Sequence, residues 1–402
     1  MQAVASAISV LISGSGIAGP ALAFWLKRAG FAPTLVERAP ALRVGGYVID
    51  FWGLGYDIAE RMGLGPDIRR VGYHIRELRV VDGKGKRVAG FGTKVFADLT
   101  GGRYVTLARS ELSRLMFDRI GDDTETIFDD EIVALNACGD HVAVRLRQGD
   151  DRRFDLVVGA DGLHSAVRRL AFGPQDQFEK RLGYVVAAFE AEGYRPRDED
   201  VYVMYGAPGR MLGRVALRDD KTLFLFVFAE DIGAIPSDVA AQEMLLHDRY
   251  GDGQWECPQI LAALDRTGDL YFDAVSQIRM DQWSIGRIAL LGDAAYCVSL
   301  VAGQGSALAM TGAYVLAGEL AKADGDHMRG FRNYERILRT YIDGKQKGAA
   351  RFAAAFAPKT RWGLSFRNQV LNIASIPGLA RLLLGRDLVD TLQLPDYRWP
   401  AR

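Results

Sequence analysis

Six residues, Gly14-Ser15-Gly16-Ile17-Ala18-Gly19, constrain this chain more than any others, because they follow directly on the short β-branched run AISVLIS that begins at Ala7. Glycines at this spacing after a strand predict three things: a tight turn at Gly14, a backbone bare enough at Gly16 for close approach of a pyrophosphate, and close helix–strand packing at Gly19. From Pro20 the residues ALAFWLKRA favour a helix, and Gly30 stands where a helix end takes a residue tolerant of positive φ. A second strand-like run, PTLVER, ends in Glu37 and Arg38. The unit therefore reads as βαβ, with Glu37 placed to accept hydrogen bonds from a ribose. The plainer alternative is a glycine-rich turn with a solvated Glu37.

The same region argues against a membrane span or signal peptide. Ile8 to Leu26 carries no charge and approaches the length of a bilayer span. Gly14, Gly16, Gly19 and Pro20 interrupt it, however, and no basic residue precedes it. A balance of 50 Lys plus Arg against 50 Asp plus Glu gives no basic field, so nucleic acid is not an expected partner. Cys138, Cys257 and Cys297 fit neither a disulfide framework nor a zinc site. The cytoplasm is therefore the expected compartment. The five histidines, His74, His141, His164, His247 and His327, lack ligand spacing, and no metal is expected. Oligomeric state leaves no mark in the sequence.

Along the chain the texture changes several times. Val71 to Phe96 alternates like a hairpin, with Asp82-Gly83 as its turn. A helix is expected from about Ser110 to Ile120, with Ser110 as N-cap and Arg109 just before it. FDLVVGADG then enters a second glycine turn. After Arg168 come aromatic-rich strands, YVVAAFEAE, DVYVMY, GRVALR and KTLFLFVFAE, in which Phe224, Phe226 and Phe228 share one sheet face. Those rings are either ordinary core or, for Phe224 and Phe226, a flat wall against an aromatic substrate. RIALLGDAAY returns to the first style, followed by a helix from about Gly303 to Leu320. Beyond Gly344 the pattern is helical, with breaks at Pro358 and Pro377; six basic residues and no acid between Arg351 and Arg386 would suit an acidic membrane surface, but the breaks disfavour it.

GSGIAG at Gly14, GADGLHSAVR at Gly159 and GDAAYCVSLVAGQG at Gly292 now stand in order, and together they resemble the class A flavoprotein monooxygenases of the para-hydroxybenzoate hydroxylase fold. Within that family the likeness is to the tetracycline-inactivating monooxygenases, on RVGGYVID, WSIGRIALLGDAAYC, the AYVLAGEL helix and the long carboxyl-terminal extension. The resemblance implies an α/β fold, with a discontinuous Rossmann-like FAD-binding domain, a β-sheet substrate domain and a C-terminal helical extension. The expected divisions are 1–70, 97–175 and 281–343 for the FAD domain, 71–96 for a hairpin of the substrate domain, 176–280 for its main sheet, and 344–402 for the extension.

Carried over by position, the resemblance places Gly14, Gly16 and Gly19 at the FAD pyrophosphate, Glu37 and Arg38 at the adenosine ribose, and Asp50 near the flavin. It assigns Arg109 to the ribityl or pyrophosphate part, and Asp161 to FAD and NADPH. Gly292 and Asp293 would reach the ribityl chain, and the Gly303-Gln304-Gly305 amides the isoalloxazine. Arg43, before Gly45 and Gly46, would help admit the nicotinamide. Plainer readings exist: Arg109 and Arg43 as surface charges, Asp161 as a turn-former. One departure is that Val298 and Leu300 stand where this loop usually carries prolines, which removes a stiffening of the backbone beside the flavin.

The implied chemistry is insertion of one oxygen atom from O2, through a flavin C4a-hydroperoxide, into an aromatic or polyketide-like molecule, with NADPH as electron donor. No side chain is then required as catalytic acid, base or nucleophile. GLGPD at Gly63 and GDGQW at Gly251 lack the strand and helix context for a second dinucleotide fold. Competing readings are a flavin oxidase or reductase without oxygen insertion, and a catalytically silent ligand-sequestering flavoprotein.

Overall fold

The computed structural model describes residues 7–42, 47–149, 151–230, 235–374 and 390–399. Its centre is the strand β1 (Ser9–Ser13), whose last four residues are buried. A β-branched run of this length, apolar on both faces, suits a parallel strand covered on both sides. It pairs in parallel with β2 (Ala32–Glu37) on one side and with Leu156–Gly159 on the other. Ile288–Leu290 and Thr126–Phe128 extend the sheet in parallel, and the short strand Ser284–Ile285 closes one edge antiparallel. Strand order thus reverses at β1, and in open α/β sheets the crevice beyond such a switch point receives the ligand.

Two glycine turns meet there. Gly14 has φ +102°, and a Cβ on it would lie 2.6 Å from the Ala160 carbonyl oxygen. A Cβ on Gly19 would collide with the Gly14 carbonyl. Helix α1 (Ala18–Arg28) starts two residues earlier than Pro20 suggested, because proline in the first turn lacks only an N–H that would have no intrahelical acceptor. The buried helix Gly305–Lys322 packs along it.

The second sheet has seven strands in the order Tyr271–Ile278, Glu179–Glu192, Lys221–Ala229, Arg210–Ala216, Val201–Ala207, Glu77–Val81 and Arg87–Gly92. The hairpin around Asp82 joins it by pairing Glu77–Val81 in parallel with Val201–Ala207. One face is covered by the helices Val239–Tyr250 and Cys257–Leu264, and the other faces the crevice.

One local expectation is corrected. Ser110 is not an N-cap: the helix is Arg109–Ile120, its N-cap position is Ala108, and no side chain caps it. Strand Tyr104–Ala108 runs straight into the helix and the Arg109 amide donates to the Tyr47 carbonyl at 3.2 Å, so backbone supplies the acceptor. The helical pattern expected beyond Gly344 is present, and Gly344 itself lies inside the helix His327–Phe356, since one interior glycine costs only about 1 kcal/mol. The break comes at Pro358, before the helix Arg361–Ala374, which packs on the seven-stranded sheet. Pro377 lies outside the described residues.

Residues 390–399 return to the first domain. Asp390 accepts the Leu54 amide at 2.8 Å and pairs with Lys345 at 2.8 Å, and Tyr397 donates to Glu319 at 2.9 Å. Trp399 lies 4.9 Å from Trp25, ring centre to ring centre.

Candidate active site

One cavity of about 1930 Å³ runs from the glycine turn after β1 to the inner face of the seven-stranded sheet. Single-ligand pockets are commonly about 300–1,000 Å³, so this one has room for a large cofactor and a second molecule.

At its first end lie Gly14, Gly16, Glu37 and Arg38. The Glu37 carboxylate accepts the Ser15 amide at 2.8 Å, the Ser15 hydroxyl at 3.0 Å and the Ala39 amide at 2.9 Å. A carboxylate has about four acceptor positions, so one remains for a ligand hydroxyl. Gly19 is set back from the wall, packed against the Gly14 carbonyl.

The middle is lined by Asp50, Arg109, Asp293, Gly303, Gln304 and Gly305. Asp50 is fixed by the Tyr104 and Thr106 hydroxyls, each 2.6 Å away. Arg109 stands 6.0 Å from the Tyr47 ring centre. Burial pushes the Asp293 carboxyl above its ordinary range, and Arg109 and the Cys297 thiol pull the other way. The thiol itself is driven well up, by burial first and by Asp293 next. Gly292 is the residue before the short helix Asp293–Tyr296. In the following loop Ser299 has φ 120°, and its buried hydroxyl has no partner among the described residues.

Asp161 also reaches the wall, but its carboxylate is occupied. It accepts the Ala166 and Val167 amides at 2.8 and 3.1 Å and the Ser165 hydroxyl at 2.5 Å, holding the start of the helix Ala166–Ala171. Its plainer reading as a turn-former accounts for those bonds. Next to it His164 pairs with Asp273 at 2.9 Å, linking this turn to the second sheet. Arg43, Gly45 and Gly46 lie outside the described residues.

The far end is largely apolar, with Ala188, Met204, Leu223, Leu225 and Tyr271 from the sheet, and is closed by Phe366, Arg367 and Leu371 of the last helix. Phe224 and Phe226 are not part of it. Both are fully buried on the opposite face, against Tyr250, Ile260 and Leu264 of the covering helices. The alternation was real, but the aromatic face is the core face, and Leu223 and Leu225 present the wall. The sequence does not single out Arg367, whose only signal there is membership in a basic, apolar segment.

The family model described as FAD binding domain matches residues 7–342. The chain is a class A flavin monooxygenase. It is 33% identical over 365 residues to a flavin-dependent monooxygenase of Legionella longbeachae, covering 88% of this chain and 90% of that one. A second relative, the uncharacterized protein Rv1260 of Mycobacterium tuberculosis, is 39% identical over 349 residues, or 84% and 91% of the two chains. Among solved structures, tetracycline destructase Tet(55) superposes with a TM-score of 0.84 at 30% identity, covering 98% of this chain and all of that one.

The site of this flavin monooxygenase suits an FAD. Bare glycine backbone lies at the switch point, the cavity is long enough for an extended cofactor with space beyond it, and the Ser299 hydroxyl lacks a partner beside the glycine run. Among the described residues no group of His, Cys, Asp or Glu is arranged to hold a metal, and no helix is long and apolar enough to cross a membrane.

Proposed function

We propose that the enzyme is a single-component, NADPH-dependent monooxygenase that inserts one oxygen atom from O2 into an aromatic or polyketide-like ring compound, with tetracycline-type polycycles the first to test. The observation that carries this reading is the single cavity joining the dinucleotide turn to an apolar sheet face. The likeness to tetracycline destructase Tet(55) supports the choice of ring compounds.

In this reading Gly14, Gly16 and Gly19 with the start of α1 receive the FAD pyrophosphate, where helix N-termini favour an anion. Glu37 holds the adenosine ribose with Arg38 beside it, Asp293 takes the ribityl chain, and the Gly303–Gly305 amides meet the ring system. Asp50, clamped by two hydroxyls, and Arg109 flank that region. Bound FAD would take up the two electrons that NADPH gives and supply the oxygen chemistry. The chain's own work is to orient the ring substrate against Leu223, Leu225 and Met204 and to exclude water from the apolar end. NADPH has no dinucleotide fold of its own among the described residues and would use the FAD domain. The expected partners are therefore a small aromatic or polycyclic molecule and O2.

The test is NADPH and oxygen consumption by the purified protein, with product mass, against phenols and tetracyclines. A compound that stimulates consumption and gains one oxygen atom is the expected result. Flavin reduction that never places oxygen in a product would replace this reading with the oxidase or reductase one.

A further inference from the structure

The basic side chains around the cavity are unequal. Lys221 pairs with Glu190 at 3.4 Å, Lys345 with Asp390 at 2.8 Å, and His164 with Asp273 at 2.9 Å. Arg38 and Lys347 are exposed to water. Arg109 sits in the middle of the cavity, where its charge is felt by Asp293. Arg367 differs from all of these: it is half-buried in the wall at the substrate end and has no carboxylate partner among the described residues.

Its guanidinium is held in place by neutral acceptors only. Nη1 donates to the Phe356 carbonyl at 3.1 Å, and Nε and Nη2 to the Asn368 side-chain oxygen at 3.3 and 2.9 Å. The group lies over Gly206, where a Cβ would come within 3.0 Å of Nη2. An arginine has five N–H donors, so this arrangement leaves one on each terminal nitrogen for a carboxylate or similar oxyanion. Burial without a compensating anion pulls its pKa down to about 10. Taking an uncompensated guanidinium out of water is costly, and an anion entering the cavity would remove that cost.

We propose that Arg367 forms an anion subsite at the substrate end of the cavity, which takes an ionised oxygen of the ring substrate, a carboxylate, enolate or phenolate, and thereby fixes which edge of the ring faces the middle of the cavity. This rests on the reading of that end as the substrate site. Arg367 is a specificity-determining residue here and takes no part in the bond changes.

The experiment uses the full-length, FAD-loaded protein and two matched probe pairs, 3-hydroxy-2-naphthoate and anthracene-2-carboxylate, each with its methyl ester. Binding is followed by perturbation of the flavin absorbance. At least one acid should bind the wild type about tenfold more tightly than its ester, a difference of about 1.4 kcal/mol. Arg367→Gln should bring that ratio close to one, and Arg367→Lys should restore part of it. If the Gln variant does not hold FAD, Arg367→Met, which suits an apolar wall, carries the same comparison. No preference for the acid in either wild-type pair, or a preference unchanged in the neutral variant, overturns the subsite. Charge-selective binding with no oxygen transfer to any ring compound would sink the monooxygenase reading and leave the subsite standing; oxygen transfer without charge selectivity would do the reverse.

Discussion

Glu37 at the end of β2 accepts both the amide and the hydroxyl of Ser15, at 2.8 and 3.0 Å, so one carboxylate ties the second strand to the glycine turn after the first. Removing its charge therefore affects a ligand in two ways, through the proposed ribose contact and through the shape of the turn. Glu37→Gln should weaken FAD binding by about tenfold or more, since hydrogen bonds to a charged group contribute about 1.5–3 kcal/mol. Titration of apoprotein with FAD measures this, and an unchanged Kd would remove Glu37 from the cofactor site.

Asp293 poses a pH question whose sign is fixed. Burial raises its folded-state pKa above the unfolded value, so the folded protein holds the proton more tightly. Its ionisation then costs stability as pH rises above the unfolded value, and that cost is absent at pH below it. Apoprotein carrying Asp293→Asn should melt higher than wild type at pH 8, and the difference should vanish as pH falls into the ordinary carboxylate range. The same variant should bind FAD less tightly. A melting difference independent of pH would show that the carboxyl is not held in this way.

Ser299 has a φ of 120° that few side chains adopt, and its hydroxyl is buried without a partner among the described residues. Strained backbone of this type costs about 1–3 kcal/mol, while glycine gives back up to about 1 kcal/mol through the unfolded chain. Ser299→Gly should thus stabilise the apoprotein by about 1 kcal/mol in denaturant unfolding. A loss of stability would mean that the hydroxyl is satisfied and the strain compensated.

The parts of this molecule that were legible in its sequence are those set by local backbone demand. GSGIAG after a strand predicts a tight turn at Gly14 and close packing at Gly19, and the structure has Gly14 at positive φ and Gly19 against the Gly14 carbonyl. Alternation also announced that Phe224, Phe226 and Phe228 share a face. Which face it was depended on two helices, Val239–Tyr250 and Cys257–Leu264, that pack there from later in the chain. Ser110 looked like a cap because its residue type caps helices, yet the Tyr47 carbonyl had already supplied an acceptor from a neighbouring strand. Arg367 was invisible for the same reason. What distinguishes it is a carboxylate that is not there, and a missing partner is a property of the packed molecule.

That reversal of faces gives the clearest contrast between two neighbouring positions. Phe226 is fully buried, with its ring 4.9 Å from that of Tyr250, so Phe226→Ala opens a cavity in the core beneath the helices and should cost about 3–5 kcal/mol. Leu225, one residue away, presents its side chain to the large cavity, where added volume meets open space instead of packed atoms. Leu225→Phe should therefore leave stability within about 1 kcal/mol of wild type, as is usual for tolerated apolar swaps, while changing KM several-fold for bulky ring substrates. Denaturant unfolding and steady-state kinetics on the two variants separate the roles. If Phe226→Ala changed substrate preference at unaltered stability, the aromatic face and not the leucine face would be the substrate wall.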